Sequence, residues 1–244
     1  MILQKKILVM IPTYNEEKTI TSVINNVKDA LPIADILIID GGSDDQTCEK
    51  AKNSGAFVLT LPYSIGIGGA IETGFKFAAQ MNYDILARVD GDGQHNPDEL
   101  PGMIKVIEAK EADVVIGSRF FENKNYKNSF LRGVAINIFS FIDSLLIGQR
   151  VTDPTSGFQV YNSKIIEFFG KKYALDYSEV EFLFLLDRIG FKTKEVPVSM
   201  RRRTEGSSSF NSIRSLVYVL RGILALFVGL FQDFPKAERK TNDS

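Results

Sequence analysis

The chain is predicted to be an α/β domain: a doubly wound, mostly parallel sheet with helices on both faces. Short runs rich in Ile, Val and Leu recur without polar alternation at Ile7–Ile11, Ile36–Ile39, Phe57–Leu61, Ile85–Val89 and Val114–Ile116. Strands of that kind are buried on both faces. Amphipathic patterns at helical spacing separate them, at Glu17–Leu31, Asp45–Ser54, Gly69–Met81 and Asp98–Ala109, which gives βαβα alternation. Each apolar run also ends in a polar or Gly-rich turn, and ligands of open α/β sheets sit beyond the C-terminal strand ends.

Taken in order, the first run delivers Thr13-Tyr14-Asn15-Glu16, and the second delivers Asp40-Gly41-Gly42-Ser43-Asp44-Asp45. The fourth belongs to an apolar stretch from Tyr83 to Val89 and leads into Asp90-Gly91-Asp92-Gly93-Gln94-His95. These three clusters are expected to converge on one crevice. If the fourth strand continues, residues 90, 92 and 94 point the same way. Two carboxylates and an amide so placed suit Mg²⁺ or Mn²⁺ holding a diphosphate. Taken alone, the same letters describe an Asp/Gly turn.

Beyond Arg119 the alternation stops. A long apolar helix is expected over Phe130–Ile147, interrupted by Arg132, Asn137 and Asp143. Asp153-Pro154-Thr155-Ser156-Gly157-Phe158 reads as a turn feeding a short strand. A helix, Glu179–Ile189, a strand, Thr193–Val198, and a basic, then flexible loop, Arg201–Ser209, follow. The C-terminal apolar helix, Leu216–Phe231, carries Arg221, and its longest uncharged run, Gly222–Phe231, is ten residues. A spanning helix needs roughly 20 apolar residues. It is therefore expected to lie at an interface or to dock a partner, with Arg201–Arg203 and Arg214 nearby to meet anionic headgroups. The alternative is a helix packed on the domain's own core. Lys236–Ser244 reads as a frayed tail.

At 244 residues and 44% hydrophobic, the chain can bury one sizeable core. Lys+Arg 29 against Asp+Glu 30 gives a net charge of -1, which offers no case for a nucleic-acid partner. A lone cysteine, Cys48, excludes an internal disulfide and a Cys-rich zinc site, and is expected as a buried structural thiol. Met1–Lys6 has no apolar segment before its lysines, so a secretory signal is not expected and the protein is placed in the cytoplasm.

The motifs form an ordered series: Pro12-Thr13-Tyr14-Asn15-Glu16, Ile39-Asp40 through Thr47, Asp90 through Pro97, Gly117-Ser118-Arg119, Asp153 through Phe158, and Val196-Pro197-Val198 leading to Arg201, Arg203, Gly206 and Ser208. Over residues 7–209 the chain resembles the family 2 inverting glycosyltransferases of the GT-A fold. Within them it is similar to the branch of dolichyl-phosphate mannose synthases and bacterial polyprenyl-phosphate or polysaccharide glycosyltransferases.

The resemblance implies a nucleoside site at Pro12, Tyr14, Glu16, Asp40 and Asp90, and a metal and diphosphate site at Asp90, Asp92 and Gln94, with Asp92 catalytic. An aromatic ring to pack on a base and carboxylates to accept ribose or base hydrogens suit the first task. A divalent cation, Mg²⁺ or Mn²⁺, neutralises charge on the leaving nucleoside diphosphate. Arg119, Arg132, Arg201, Arg203 and Ser208 match the acceptor-phosphate side, where guanidinium forks suit phosphate oxygens. Asp153, Glu179 and Glu181 are the remaining carboxylates with a catalytic claim. A sugar-hydroxyl acceptor needs one of them as general base, whereas a lipid phosphate is already ionised and needs none. Asp153 reads equally as the cap of its turn. His95 is expected as a neutral brace for the acidic loop.

The implied organisation is a nucleotide-sugar-binding half, 1–118, an acceptor-binding half of the same domain, 119–209, and a membrane- or partner-associating segment, 210–244. The implied activity is metal-dependent transfer from a UDP- or GDP-sugar to a polyprenyl phosphate or other membrane-linked glycan acceptor, on the cytoplasmic face of a membrane and with a membrane surface or small membrane protein as partner. Departures from the family pattern are Gly41 where many relatives carry Asp, Ser64-Ile65-Gly66-Ile67-Gly68 in place of an Asn-Leu-Gly-Lys-Gly segment, and Ser209 in place of a lysine. One competing reading is a non-catalytic nucleotide-sugar-binding subunit of a membrane glycan-assembly complex. A nucleotidyltransferase is the other, though Thr13-Tyr14-Asn15-Glu16 lacks the Gly-rich basic loop that holds a triphosphate.

Overall fold

The computed structural model describes residues 5–63, 66–121, 130–172, 179–201, 222–224 and 226–236, with the side chains of 130–132, 172 and 179–180 outside that description. Among the described residues seven strands form one sheet: β1 (Ile7–Thr13), β2 (Asp35–Asp40), β3 (Phe57–Thr60), β4 (Ile85–Arg88), β5 (Val114–Ser118), β6 (Gln159–Asn162) and β7 (Thr193–Pro197). Their order is β3-β2-β1-β4-β6-β5-β7. The pairings of β1 with β2 and β4, of β2 with β3, and of β5 with β7 are parallel. β6 runs antiparallel to both β4 and β5. The mostly parallel sheet is thus present, and the short strand expected after Phe158 is wedged into its middle.

Seven helices, again among the described residues, pack around this sheet: α1 (Ile20–Ala30), α2 (Thr47–Asn53), α3 (Gly66–Gln80), α4 (Leu100–Glu108), α5 (Phe130–Ile147), α6 (Ser163–Glu167) and α7 (Glu179–Ile189). Strand side chains alternate between two cores, as a period of two requires. On one face Leu8, Met10, Leu37, Ile39, Leu86 and Tyr161 meet Phe75 of α3 and Leu183 and Leu186 of α7. On the other, Val9, Ile11, Ile38, Ala87 and Val160 meet Ile20, Ile24 and Val27 of α1 and Met103 and Ile104 of α4. Each fully buried aliphatic chain contributes about 1.5–3 kcal/mol, which explains why strands β1 and β5 contain no exposed residue.

Several expectations change in detail. α1 starts at Ile20 rather than Glu17, because the Asn15, Glu16 and Glu17 amides donate to Ser43 Oγ, Thr47 Oγ1 and Asp45 Oδ2 of the second cluster. α6 and the π-helical turn Phe168–Lys172 have no counterpart in the sequence reading. α6 begins where Asn162 Oδ1 accepts from the amides of Lys164 and Ile165. Cys48 is half-buried, its Sγ 3.6 Å from Thr60 Oγ1; α2 covers the sheet there with Ala51 instead.

Of the expected helix Leu216–Phe231, residues 222–224 and 226–229 are described and are helical. Leu226 is buried with Phe139 of α5 and Phe184 of α7. Leu224, Phe227 and Phe231 face outward. No described helix is long and apolar enough to cross a membrane.

Candidate active site

The first two clusters are zipped together at the ends of β1 and β2. Asp40 is fully buried, and its carboxylate accepts from the amides of Gly42 and Ser43, both at 3.1 Å, and from Ser43 Oγ. Asn15 returns the contact, donating its amide to Ser43 Oγ at 2.8 Å and accepting from the Asp44 amide at 2.9 Å. Asp40 therefore shapes the turn from within, its oxygens accepting from Gly42 and Ser43. Tyr14 stands 55% exposed at the lip, an open ring for a base to stack on. Pro12 is buried in β1. Glu16 is half-buried and meets Thr19 Oγ1 at 3.1 Å.

The acidic cluster sits next to them. A Cβ on Gly91 would lie 2.9 Å from Thr13 Cγ2 and 3.5 Å from Glu16 Cγ. The strand expected to carry the alternation of residues 90, 92 and 94 ends at Arg88. Residues 91–93 form a turn instead, with Gly93 at φ +74°, a conformation glycine adopts without strain. The turn is pinned from inside: the Asp90 amide donates to His95 Nδ1 at 3.0 Å, and the Gln94 amide to Asp92 Oδ1 at 3.0 Å. His95 accepts at Nδ1, is buried, and stacks on Phe158 with centroids 4.8 Å apart. Burial pulls its pKa down against the pull of Asp90 and Asp92, so the ring is neutral.

The Asp90 carboxylate lies 3.3 Å from Arg88 Nε and 3.6 Å from His95 Nε2. Burial would raise its pKa, but the charge of the Arg88 guanidinium outweighs that and holds it below the ordinary carboxyl range. Asp90, Asp92 and Gln94 are each half-buried, so an ionised carboxylate and further oxygen donors reach the crevice. Among the described residues no group of three or more His, Cys, Asp and Glu side chains gathers at metal-ligating spacing. The donor set fits a hard divalent cation that completes its shell with diphosphate oxygens and water.

The 153–158 motif closes the other wall. A Cβ on Gly157 would lie 2.8 Å from both Arg88 Nη2 and Asp90 Oδ2, so glycine is what lets this loop touch the acidic turn. Arg119 donates from Nε and Nη2 to the two carboxylate oxygens of Asp153, both at 2.6 Å, and from its amide to Oδ2 at 3.1 Å. It also reaches Thr155 Oγ1 at 2.9 Å. Asp153 is 0% exposed and Arg119 6%. Of the two readings of Asp153, base or cap of its turn, this bidentate pair does not favour the base: both its oxygens are committed and none of its surface is exposed. Arg119, matched to the acceptor-phosphate side, is a cation held in the wall by Asp153 and Thr155.

Arg201 is beside the acidic turn, with its amide on the Gln94 carbonyl at 2.8 Å and its guanidinium on Asn96 Oδ1 at 2.9 Å. Glu181 is half-buried on α7. Arg132 and Glu179 belong to α5 and α7, but their side chains, like Arg203 and Ser208 altogether, lie outside the described residues. So do Ser64 and Ile65 of the departing segment and the loop 202–209.

Two residues escaped the sequence reading. Arg88, 4% exposed, holds Asp90, and its signal was a charged residue inside the buried run Ile85-Leu86-Ala87-Arg88-Val89. Glu195 of β7 accepts from the amides of Thr152 and Asp153, and a carboxylate in a strand on the sheet was the available clue.

The sequence model of the family described as Glycosyl transferase family 2 matches residues 8–169. The chain is 29% identical to an undecaprenyl-phosphate mannosyltransferase of Micrococcus luteus, over 84% of this chain and 88% of the relative. It is 29% identical to a polyprenol monophosphomannose synthase of Mycolicibacterium smegmatis, over 88% and 85%. It is 30% identical to a UDP-N-acetylglucosamine–dolichyl-phosphate N-acetylglucosaminyltransferase of Methanococcus voltae, over 89% and 97%. Among solved structures it is similar to glucosyl-3-phosphoglycerate synthase of Mycobacterium tuberculosis in complex with Mn²⁺, UDP and glucosyl-3-phosphoglycerate, with a TM-score of 0.69 at 21% identity, covering 92% of this chain and 79% of that one.

Proposed function

The chain belongs to glycosyl transferase family 2, and on that premise we propose that it moves a sugar, with inversion, from a UDP- or GDP-sugar to a polyprenyl phosphate. The relatives that act on undecaprenyl, polyprenol and dolichyl phosphates support this acceptor class. The observation that carries it is the Arg119–Asp153 pair. A hydroxyl acceptor requires a base at the crevice, and Asp153, one of the three carboxylates with that claim, is fully committed to Arg119. A phosphate monoester, largely ionised at neutral pH, attacks without one.

In the proposed reaction one phosphate oxygen bonds to the anomeric carbon as the bond from that carbon to the diphosphate oxygen breaks, and the electron pair leaves with the nucleoside diphosphate. Tyr14 stacks on the base, Pro12 and Glu16 line the nucleoside site, and Asp40 shapes the turn that receives the ribose. Asp90, Asp92 and Gln94 would hold Mg²⁺ or Mn²⁺ at the diphosphate, and the cation would supply Lewis-acid neutralisation of the leaving group. Arg88 keeps Asp90 ionised, and the neutral His95 ring braces the turn through the Asp90 amide. Arg119, with Arg132, Arg201, Arg203 and Ser208, supplies the positive acceptor side, which lets two anionic substrates lie close together. On this reading residues 1–118 bind donor and 119–209 acceptor.

Membrane association on the cytoplasmic face is part of the same proposal. On α5, Val134, Ile138, Phe141 and Leu145 form an exposed stripe at helical spacing, with Phe141 70% and Leu145 72% exposed. Ile223, Leu224, Phe227, Val228 and Phe231 add exposed apolar side chains from the segment after 221. Apolar surface of this extent suits a lipid interface or a small membrane partner. The test is direct: purified protein with Mn²⁺ and a panel of UDP- and GDP-sugars, with and without undecaprenyl phosphate. Lipid-dependent consumption of one donor supports the reading, and transfer only to sugar hydroxyls refutes the acceptor.

A further inference from the structure

We propose that Glu195 is a positioning residue that fixes the Thr152–Asp153 loop, so that Asp153 presents both oxygens to Arg119. The proposal deepens the reading above and rests on its placing Arg119 on the acceptor side. Glu195 lies in β7, next to β5, and its side chain reaches across to the loop rather than to its own strand neighbours. It accepts from the Thr152 amide at 3.0 and 2.8 Å, from Thr152 Oγ1 at 2.7 Å, and from the Asp153 amide at 2.9 Å.

A carboxylate only accepts, and that fixes the direction of the hydrogen bonds behind it. Thr152 Oγ1 donates its single proton to Glu195, so the hydroxyl of Ser118, 2.6 Å away, must donate to Thr152. Ser118 Oγ in turn accepts from the Phe120 amide at 3.2 Å. The chain Phe120 amide, Ser118 hydroxyl, Thr152 hydroxyl, Glu195 carboxylate brackets Arg119 in sequence and bonds its partner Asp153 in space. Nothing in the sheet needs this arrangement: β5 and β7 are already paired from Val114 with Thr193 to Ser118 with Pro197. A half-buried carboxylate that spends every described bond on one loop is placed for the loop.

Glu195→Gln tests it at nearly constant volume. Each carboxylate oxygen meets a donor, so either orientation of the amide sets its NH₂ against an N–H or O–H. The expected result is a folded protein whose kcat/KM for polyprenyl phosphate falls roughly tenfold to a hundredfold, the range for losing a hydrogen bond to a charged group, mostly through acceptor KM. The affinity for the nucleoside diphosphate with Mn²⁺ should change less than about twofold. Unchanged acceptor kinetics, or equal losses for donor and acceptor, overturn the proposal. Should Glu195→Gln fail to fold, Thr152→Val, which removes the relaying hydroxyl, is expected to show the same split with a smaller loss. If the wild type uses a hydroxyl acceptor, the acceptor reading fails while the donor-against-acceptor split still decides the role of Glu195. The Arg119 Nε–H resonance gives a readout independent of turnover: it should move in Glu195→Gln, and an unmoved signal contradicts the mechanism.

Discussion

Asp143→Asn should make the protein more stable as the pH rises. Asp143 lies on the inner face of α5, is 0% exposed, and among the described residues neither carboxylate oxygen meets a hydrogen-bond donor. Burial, and secondarily the charge of Glu195, push its pKa from 3.8 to about 8. Between these values the folded protein holds a proton that the unfolded chain has released. Stability is therefore undiminished below pH 3.8 and declines as the pH climbs towards 8. At about 1.4 kcal/mol for each pH unit, the full effect is on the order of 5 kcal/mol, a large share of a typical folding free energy of roughly 5–15 kcal/mol.

Asparagine cannot ionise, and its unpartnered amide adds a pH-independent cost of about 1–3 kcal/mol. The variant should thus match or trail the wild type near pH 4 and overtake it by several kcal/mol near pH 7.5. Urea unfolding at a series of pH values reads the difference directly, and subtraction removes the titration of groups common to both proteins. A difference that stays flat with pH would show that the folded state does not raise the pKa of Asp143.

Asp92→Ala should lower metal-dependent turnover by about a thousandfold while the thermal melt is retained; activity within a few-fold of wild type removes the acidic turn from the mechanism. Asp153→Asn should destabilise the protein by roughly 3–5 kcal/mol, because the buried Arg119 loses the carboxylate that neutralises it, whereas an Arg119→Leu/Asp153→Leu double variant should lose much less. Equal losses in chemical denaturation would contradict that pairing. Gly157→Ala places a Cβ 2.8 Å from Arg88 and Asp90 and should cost about 1–3 kcal/mol together with metal-dependent activity. Replacing both Phe141 and Leu145 by Ser should weaken binding to anionic vesicles by about tenfold per side chain if each is buried in lipid; undiminished sedimentation would shift the membrane contact to the C-terminal segment.

The parallel core was legible because its strands are apolar on both faces and its helices carry a clear 3.6-residue period. Phe130–Ile147 and Glu179–Ile189 were readable to the residue for the same reason. β6 was foreseen only as a short strand, since four residues cannot announce that they will run antiparallel between β4 and β5. Convergence of the three acidic and polar clusters followed from strand order alone. The states of individual side chains did not: Asp40 and Asp153 look like ligand or base carboxylates in sequence, and only packing reveals that turn amides and Arg119 occupy their oxygens. Arg88 and Glu195 were hidden by the opposite problem, lying in strands where the pattern calls for apolar residues.

Sugar transfer to a lipid phosphate is proposed at a centre built on Asp90 and Asp92. Its most direct measurement is the formation of a glycosylated polyprenyl phosphate from labelled UDP- or GDP-sugar with Mn²⁺, run in parallel for wild type and Asp92→Ala. Lipid-linked product is expected from one donor with the wild type and almost none with the variant. Product formed equally by both proteins, or label transferred to a sugar hydroxyl and never to the lipid phosphate, would contradict it.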